Sequence, residues 1–148
     1  MKKGFTLIEA LITIAIIAIL AGLSSLSIVN FGKSSDIEGG RTTVVQALRQ
    51  AQSNSMANLD QKTWGVHFES SKVIIFADTG GVFNPADTNN QVKLMPKGVN
   101  IAFDFGGGVD LLFEKGKAST LTPGTITLSS TGNTTPEVTI NSEGMIDY

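Results

Sequence analysis

The chain has 148 residues, with 11 Lys and Arg against 13 Asp and Glu and a formal net charge of −2, which leaves no electrostatic footprint for nucleic acid or for an anionic membrane surface. It contains no cysteine, so disulfides, thiolate catalysis and thiolate metal ligation are excluded. The hydrophobic fraction is 41%, but much of it falls in the first 31 residues; the remainder is rich in Gly, Ser, Thr and Asn, the composition of an exported, loop-rich β domain.

The N-terminus opens with Lys2 and Lys3 and then turns apolar: from Ala10 to Leu23 only Thr13 is polar. Phe5 to Val29 is 25 residues, about 37 Å as a helix at ~1.5 Å per residue. That exceeds a bilayer core of ~30 Å. The two lysines ahead of the run place the N-terminus on the cytoplasmic side and everything after the helix across the inner membrane. Lys33 and Arg41 on the far side weaken that bias slightly. An ordinary secretory signal peptide, a single-span anchor and a short leader cut before Phe5 all share this layout. Gly22-Leu23-Ser24 offers a weak small-x-small cleavage site for the first of them. Glu9 decides. A carboxylate one turn into an apolar helix costs about 2.5 kcal/mol or more at membrane depth, and neither a signal peptide nor a plain anchor needs it. The bland reading is that Glu9 snorkels to the headgroups.

The run Lys3-Gly4-Phe5-Thr6-Leu7-Ile8-Glu9 resembles the signal of type IV pilins and type II secretion pseudopilins. The resemblance covers about a fifth of the chain. It implies cleavage between Gly4 and Phe5, N-methylation of Phe5, and a role for Glu9 in assembly. The residue types suit those roles. Gly4 has no side chain and can present an extended peptide bond. The ammonium freed at Phe5 can pair with Glu9 of a neighbouring subunit, offsetting two desolvation costs and setting an axial register. The implied partners are the prepilin peptidase/methyltransferase, other pilin or pseudopilin subunits in a homo- or hetero-oligomeric filament, and membrane lipid before assembly; no nucleic acid is expected. Loss of Lys2 and Lys3 with the leader would leave 9 basic residues against 13 acidic, a net charge of −4.

Beyond the apolar run, Gly32, Gly39 and Gly40 are weak points, each costing ~1 kcal/mol against Ala in a helix interior. Ile37, Val44, Leu48, Ala51, Ser55 and Leu59 recur at helical spacing and mark one amphipathic face. Arg41, Gln46, Arg49, Gln50 and Asn54 lie mostly off it. The helix is therefore expected to reach about Asn58, with room for a bend or local melting at the glycines, and to pack its stripe on a sheet. A long N-terminal helix, half membrane-embedded and half packed on a sheet, resembles the pilin fold, although many major pilins carry an early helix proline and none precedes Pro85 here.

After Lys62 the period changes to two. Thr63–Phe68 and Lys72–Phe76 read as a hairpin. A polar stretch from Asp78 to Gln91 reads as a loop. Val99–Phe105 alternates as a half-buried strand; Gly106-Gly107-Gly108 is a turn, and Val109–Phe113, Thr125–Leu128, Glu137–Asn141 and Met145–Tyr148 are further strands. The expected class is α+β: a pilin-like long helix packed on one antiparallel β-sheet head, divided as leader 1–4, filament-core helix 5–29, amphipathic continuation 30–60 and extracytoplasmic head 61–148. The segments Leu48–Ser53, Trp64–Val66 and Val138–Ile146 are similar to those of the H-type minor pseudopilin.

No catalytic constellation is present. His67 is the lone histidine, so histidine–histidine zinc sites are not available, and with no nucleophile pattern beside it a structural role is expected. The triple glycine is followed by no Lys-Ser/Thr and is not a phosphate loop. Asp78, Asn84, Asp87, Asn89 and Asn90 carry oxygens of the kind Ca²⁺ prefers, at a spacing that matches no known loop. Lys93, Lys97, Lys115 and Lys117 read as solvated surface. No cofactor, metal or enzymatic activity is expected. Together these readings point to a structural subunit, a pilin or pseudopilin of a type IV pilus-like or type II secretion filament. The alternative is a secreted or membrane-anchored β domain that binds a ligand and carries an ordinary signal sequence.

Overall fold

The computed structural model describes residues 4–130, 133–134 and 137–148, and the side chains of these except 23–31, 33, 133 and 134. The order is a helix α1 (Leu7–Met56), a 3₁₀ turn (Leu59–Gln61) and strands β1 (Thr63–Glu69), β2 (Lys72–Asp78), β3 (Gln91–Leu94), β4 (Val99–Asp104), β5 (Asp110–Leu112), β6 (Gly124–Ser130), β7 (Asn133–Thr134), β8 (Val138–Ile140) and β9 (Ile146–Asp147). The chain divides into two compact units, Met1–Ser35 and Asp36–Tyr148.

In the first unit α1 begins on Leu, Ile and Ala residues with no glycine before Gly22. Leu7, Ile8, Leu11, Ile12, Ile14, Ile16, Ile17, Ile19 and Leu20 are all more than half exposed, from 52% at Ile16 to 84% at Leu7. At 3.6 residues per turn these positions distribute around the whole circumference. The helix is thus an apolar cylinder rather than an amphipathic one. Among the described residues, no helix is long and apolar enough to cross a membrane. The side chains described in this run stop at Gly22, and Leu7 to Gly22 rises only about 24 Å. Residues 23–31, over which the expected membrane segment continues, lie outside the described side chains, and the leader residues 1–3 lie outside the described residues altogether.

The second unit is built on the helical stripe. Ile37, Val44, Leu48, Ala51 and Ser55 are all buried, and Val45 and Ala47 widen the buried face. Leu59, expected on the same stripe, is instead 44% exposed. The reason is local: α1 ends at Met56, and Asn58 turns into the left-handed region at φ 48°, where asparagine is one of the few tolerant side chains. Local melting at the glycines is not seen, since α1 keeps helical backbone at Gly32, Gly39 and Gly40. Gly40 serves packing. A Cβ there would lie 3.1 Å from Leu128 Cδ2 and 3.2 Å from Val99 Cγ1, so its missing side chain lets the helix sit close to the strands.

All strand pairs are antiparallel, but they form two sheets rather than the expected one. The first has the order β3-β2-β1-β5; the second has β4-β6-β8-β9, with β7 on β6. β1 and β2 pair from Thr63↔Asp78 to Glu69↔Lys72 around a two-residue turn. The backbone of that turn joins the sheets, because Ser71 O accepts from Met95 N at 2.9 Å and Ser70 O accepts from Ile101 N at 2.9 Å. Val66, Phe68, Val73 and Ile75 from one sheet and Ile101, Ile126, Leu128, Val138 and Ile140 from the other share a single core with the α1 stripe. β2 is buried on both faces over Val73–Phe76. Its second face is covered from the polar stretch, where Phe83 packs edge-on against Phe76 (centroids 5.4 Å apart) and stacks on His67 at 3.9 Å. That stretch also ends in a strand, β3, whose four residues are all exposed. With no buried face there was no alternation to read.

Candidate functional site at the helix N-terminus

Gly4, Phe5 and Thr6 precede α1 in non-helical backbone. Phe5 is 78% exposed, and a Cβ on Gly4 would meet nothing within 4 Å. The Gly4–Phe5 bond therefore lies in open, unstructured chain directly ahead of a helix. Thr6 and Glu9 close that helix. Thr6 N donates to Glu9 Oε2 at 3.0 Å, Thr6 Oγ1 donates to the same oxygen at 2.9 Å, and Glu9 N donates back to Thr6 Oγ1 at 3.3 Å. This reciprocal pattern is a capping box, which satisfies backbone donors that a helix start leaves unpaired. The carboxylate also sits at the positive end of the helix dipole. Thr13 Oγ1 turns back to Glu9 O at 2.7 Å, which hides the hydroxyl of the one polar residue in the run.

Reading Glu9 for its charge alone passes over this second job. The signal was the spacing Thr-x-x-Glu at residues 6 and 9. Both Thr6 bonds fall on Oε2, and Oε1 accepts none among the described residues.

The other residues singled out in the sequence are engaged in the head. His67 Nδ1 lies 2.6 Å from Asp110 Oδ1, directly across the β1–β5 pairing. With Phe83 stacked on its ring, His67 ties the polar stretch to the first sheet. Three of the candidate calcium residues turn a side-chain oxygen onto their own loop. Asp78 Oδ2 accepts from Gly80 N at 2.7 Å and Val82 N at 3.4 Å; Asn84 Oδ1 accepts from Ala86 N, and Asp87 Oδ1 from Asn89 N and Nδ2. Asn90 Nδ2 donates to Asn84 O at 2.7 Å. These are turn-forming contacts, which explains why such residues cluster there. Gly106 and Gly107 take positive φ, 71° and 101°, in a turn whose Gly106 N–H is held by Asp104 Oδ1 at 3.1 Å. Of the four lysines, Lys117 is ion-paired with Glu114.

The Asp78 turn carries a pH signature. The Gly80 N–H, with a smaller share from Val82, holds the Asp78 carboxyl below its ordinary range. A group whose folded pKa is lowered contributes stability above its unfolded value, and that contribution is lost as pH falls through the folded value. Protection of the Gly80 amide against hydrogen exchange, corrected for intrinsic rate, is therefore expected to hold from neutral pH to about 4 and to fall below it. Protection already lost at pH 6 would refute this account of the turn.

Residues 1–25 match the family model described as the prokaryotic N-terminal methylation motif. No curated protein and no solved structure matches the chain.

Proposed function

We propose that this chain, which bears the prokaryotic N-terminal methylation signal of type IV pilins and pseudopilins over residues 1–25, is a structural subunit of a type IV pilus-like or type II secretion filament and not an enzyme. The observation that carries this reading is the pairing of that signal with an apolar cylinder. Nine large aliphatic side chains from Leu7 to Leu20 stand more than half exposed on all sides of α1. At about 25 cal/mol per Å² such a surface is costly in water. A helix apolar all round needs apolar surroundings, and here they come from outside the chain. Lipid supplies them first, since in sequence the run continues to Val29. Neighbouring helices supply them after assembly, so exchanging lipid for the filament core changes little in apolar contact. The α+β fold, with α1 packed on antiparallel strands, is compatible with a pilin-like head outside the membrane.

In this reading the prepilin peptidase/methyltransferase cuts the open Gly4–Phe5 bond and methylates the new amine. Glu9 then serves two partners. Oε2 keeps the intrachain cap with Thr6, and Oε1 takes the ammonium of Phe5 on the adjacent subunit. The cap already offsets part of the desolvation of the carboxylate, which makes its position in an apolar helix tolerable before any neighbour arrives.

N-terminal mass spectrometry of the processed protein tests the proposal. The expected product begins at methylated Phe5. A product beginning near Ser25 would identify an ordinary signal sequence and end the filament reading.

A further inference from the structure

On the polar side of α1, far from the helix start in sequence, Arg49 Nη2 donates to Tyr148 Oη at 2.9 Å. The guanidinium carbons of Arg49 and Arg41 lie 5.1 and 5.5 Å from the centroid of the Tyr148 ring, within cation–π range. Arg41 is neutralised by Glu38, Nη2 to Oε1 at 2.5 Å. Arg49 makes no ion pair among the described residues. These groups line a cleft of about 210 Å³ together with Gln46. Among the side chains that line the cleft, two guanidinium groups on one ring stand against one carboxylate. Tyr148 pre-orients the planar fork of Arg49, whose remaining N–H donors match a carboxylate.

A surface of the opposite sign lies on the same head. The second sheet turns Ile101, Ile126 and Leu128 into the core, so its other face carries Ala102 and Asp104 on β4 and Thr127 on β6. Asp104, Thr127 and Glu137 line a groove of about 350 Å³ there. Asp104 and Glu137 are both exposed, and neither makes an ion pair among the described residues.

We infer that the Arg41–Tyr148–Arg49 cleft of one copy receives the Asp104–Glu137 face of a second copy of this chain. The argument is charge complementarity between two different surfaces of one chain. Such a contact is heterologous: each copy offers a cleft and a face, so it propagates into an array instead of closing as a pair. Exposed ion pairs contribute little net energy, and this contact sets register and excludes wrong neighbours more than it drives association. The inference rests on the filament reading for its setting, although the contact itself is tested separately.

The absence of native cysteine permits a clean test on the full-length chain in membranes. Gln46→Cys and Ala102→Cys, which border the two surfaces without removing a charge, are combined and treated with a short bis-maleimide. The expected result is a ladder of dimers, trimers and higher species from the double variant, and nothing beyond dimers from either single variant. Adding Arg49→Glu should abolish the ladder, and adding Glu137→Arg to that chain should restore it. A double variant that stays monomeric or stops at dimers overturns the docking, as does a ladder indifferent to Arg49→Glu. N-terminal mass on the same sample keeps the two ideas apart. A start at Phe5 without a ladder refutes only the docking; a start near Ser25 refutes only the filament setting, and the ladder still judges the contact.

Discussion

Glu9→Ala is expected to leave cleavage and methylation intact while nearly eliminating incorporation into filaments beside wild-type subunits. The bond proposed to be cut, Gly4–Phe5, lies ahead of the helix, and alanine at position 9 does not touch it. Assembly is different. Removing one member of an ion pair in a low-dielectric bundle leaves the other charge uncompensated, at about 3–5 kcal/mol. That is more than a hundredfold per subunit contact, enough to exclude the variant from sheared filaments measured by quantitative immunoblot. The capping box adds a complication, because alanine also removes the acceptor for Thr6 N and Oγ1. Glu9→Gln separates the two effects. Glutamine can keep the reciprocal cap but brings no charge. If the pairing with the neighbouring ammonium dominates, Gln fails nearly as badly as Ala. Normal filaments from Glu9→Gln would reduce Glu9 to a helix cap and refute the intersubunit role.

Gly144→Val is expected to destabilise the head by about 3 kcal/mol or more, from two additive causes. Gly144 is held at φ +83°, a conformation that costs a β-branched residue roughly 1–2 kcal/mol or more. In addition, a Cβ there would lie 1.9 Å from Ala118 O and 2.7 Å from Gln52 Nε2, so backbone has to move. What would move is a latch. Gln52 on α1 donates to both Ala118 O at 3.0 Å and Gly144 O at 2.7 Å. One turn on, the buried Ser55 donates Oγ to Glu114 O at 2.7 Å, and its own carbonyl accepts from Gly116 N at 3.0 Å. Helix, loop and C-terminal turn thus meet through one side-chain amide, one hydroxyl and one backbone carbonyl. Denaturant unfolding followed by the fluorescence of Trp64, the sole tryptophan, measures the loss. Gly106→Ala is the control. Its φ is +71°, but a Cβ meets nothing within 4 Å, so only the conformational cost of about 1 kcal/mol applies. Equal effects from the two variants would show that the Ala118 contact is not the constraint described.

The residues that disclose the N-terminal signal do so because a processing enzyme reads short linear chain. Gly4, Phe5 and Glu9, the residues proposed for processing and assembly, are set by identity and spacing, and no folding is needed to bring them together. The helical stripe was legible for a similar reason: Ile37, Val44, Leu48 and Ala51 repeat at the period of the element that presents them, so burial of one face follows from geometry within that element. The Thr6–Glu9 cap also lay in plain view as a three-residue spacing.

Contacts between distant segments were not legible. How the two sheets meet depends on the Ser70-Ser71 turn, whose carbonyls accept hydrogen bonds from Met95 and Ile101, and backbone amides have no sequence signature. β3 was hidden because all four of its residues are exposed. Gly40 looks like a helix defect in sequence, and only the approach of Leu128 and Val99 makes it a packing requirement. Arg49 and Tyr148 are separated by 99 positions, Gln52 and Gly144 by 92. The sequence by itself determined the processing signal, the apolar cylinder and the helical face, all of which are periodic or contiguous along the chain. The tertiary structure alone decided the division into two sheets, the latch at Gly144 and the arginine cleft, because each is made by side chains or amides that come within hydrogen-bonding distance only after the chain has folded.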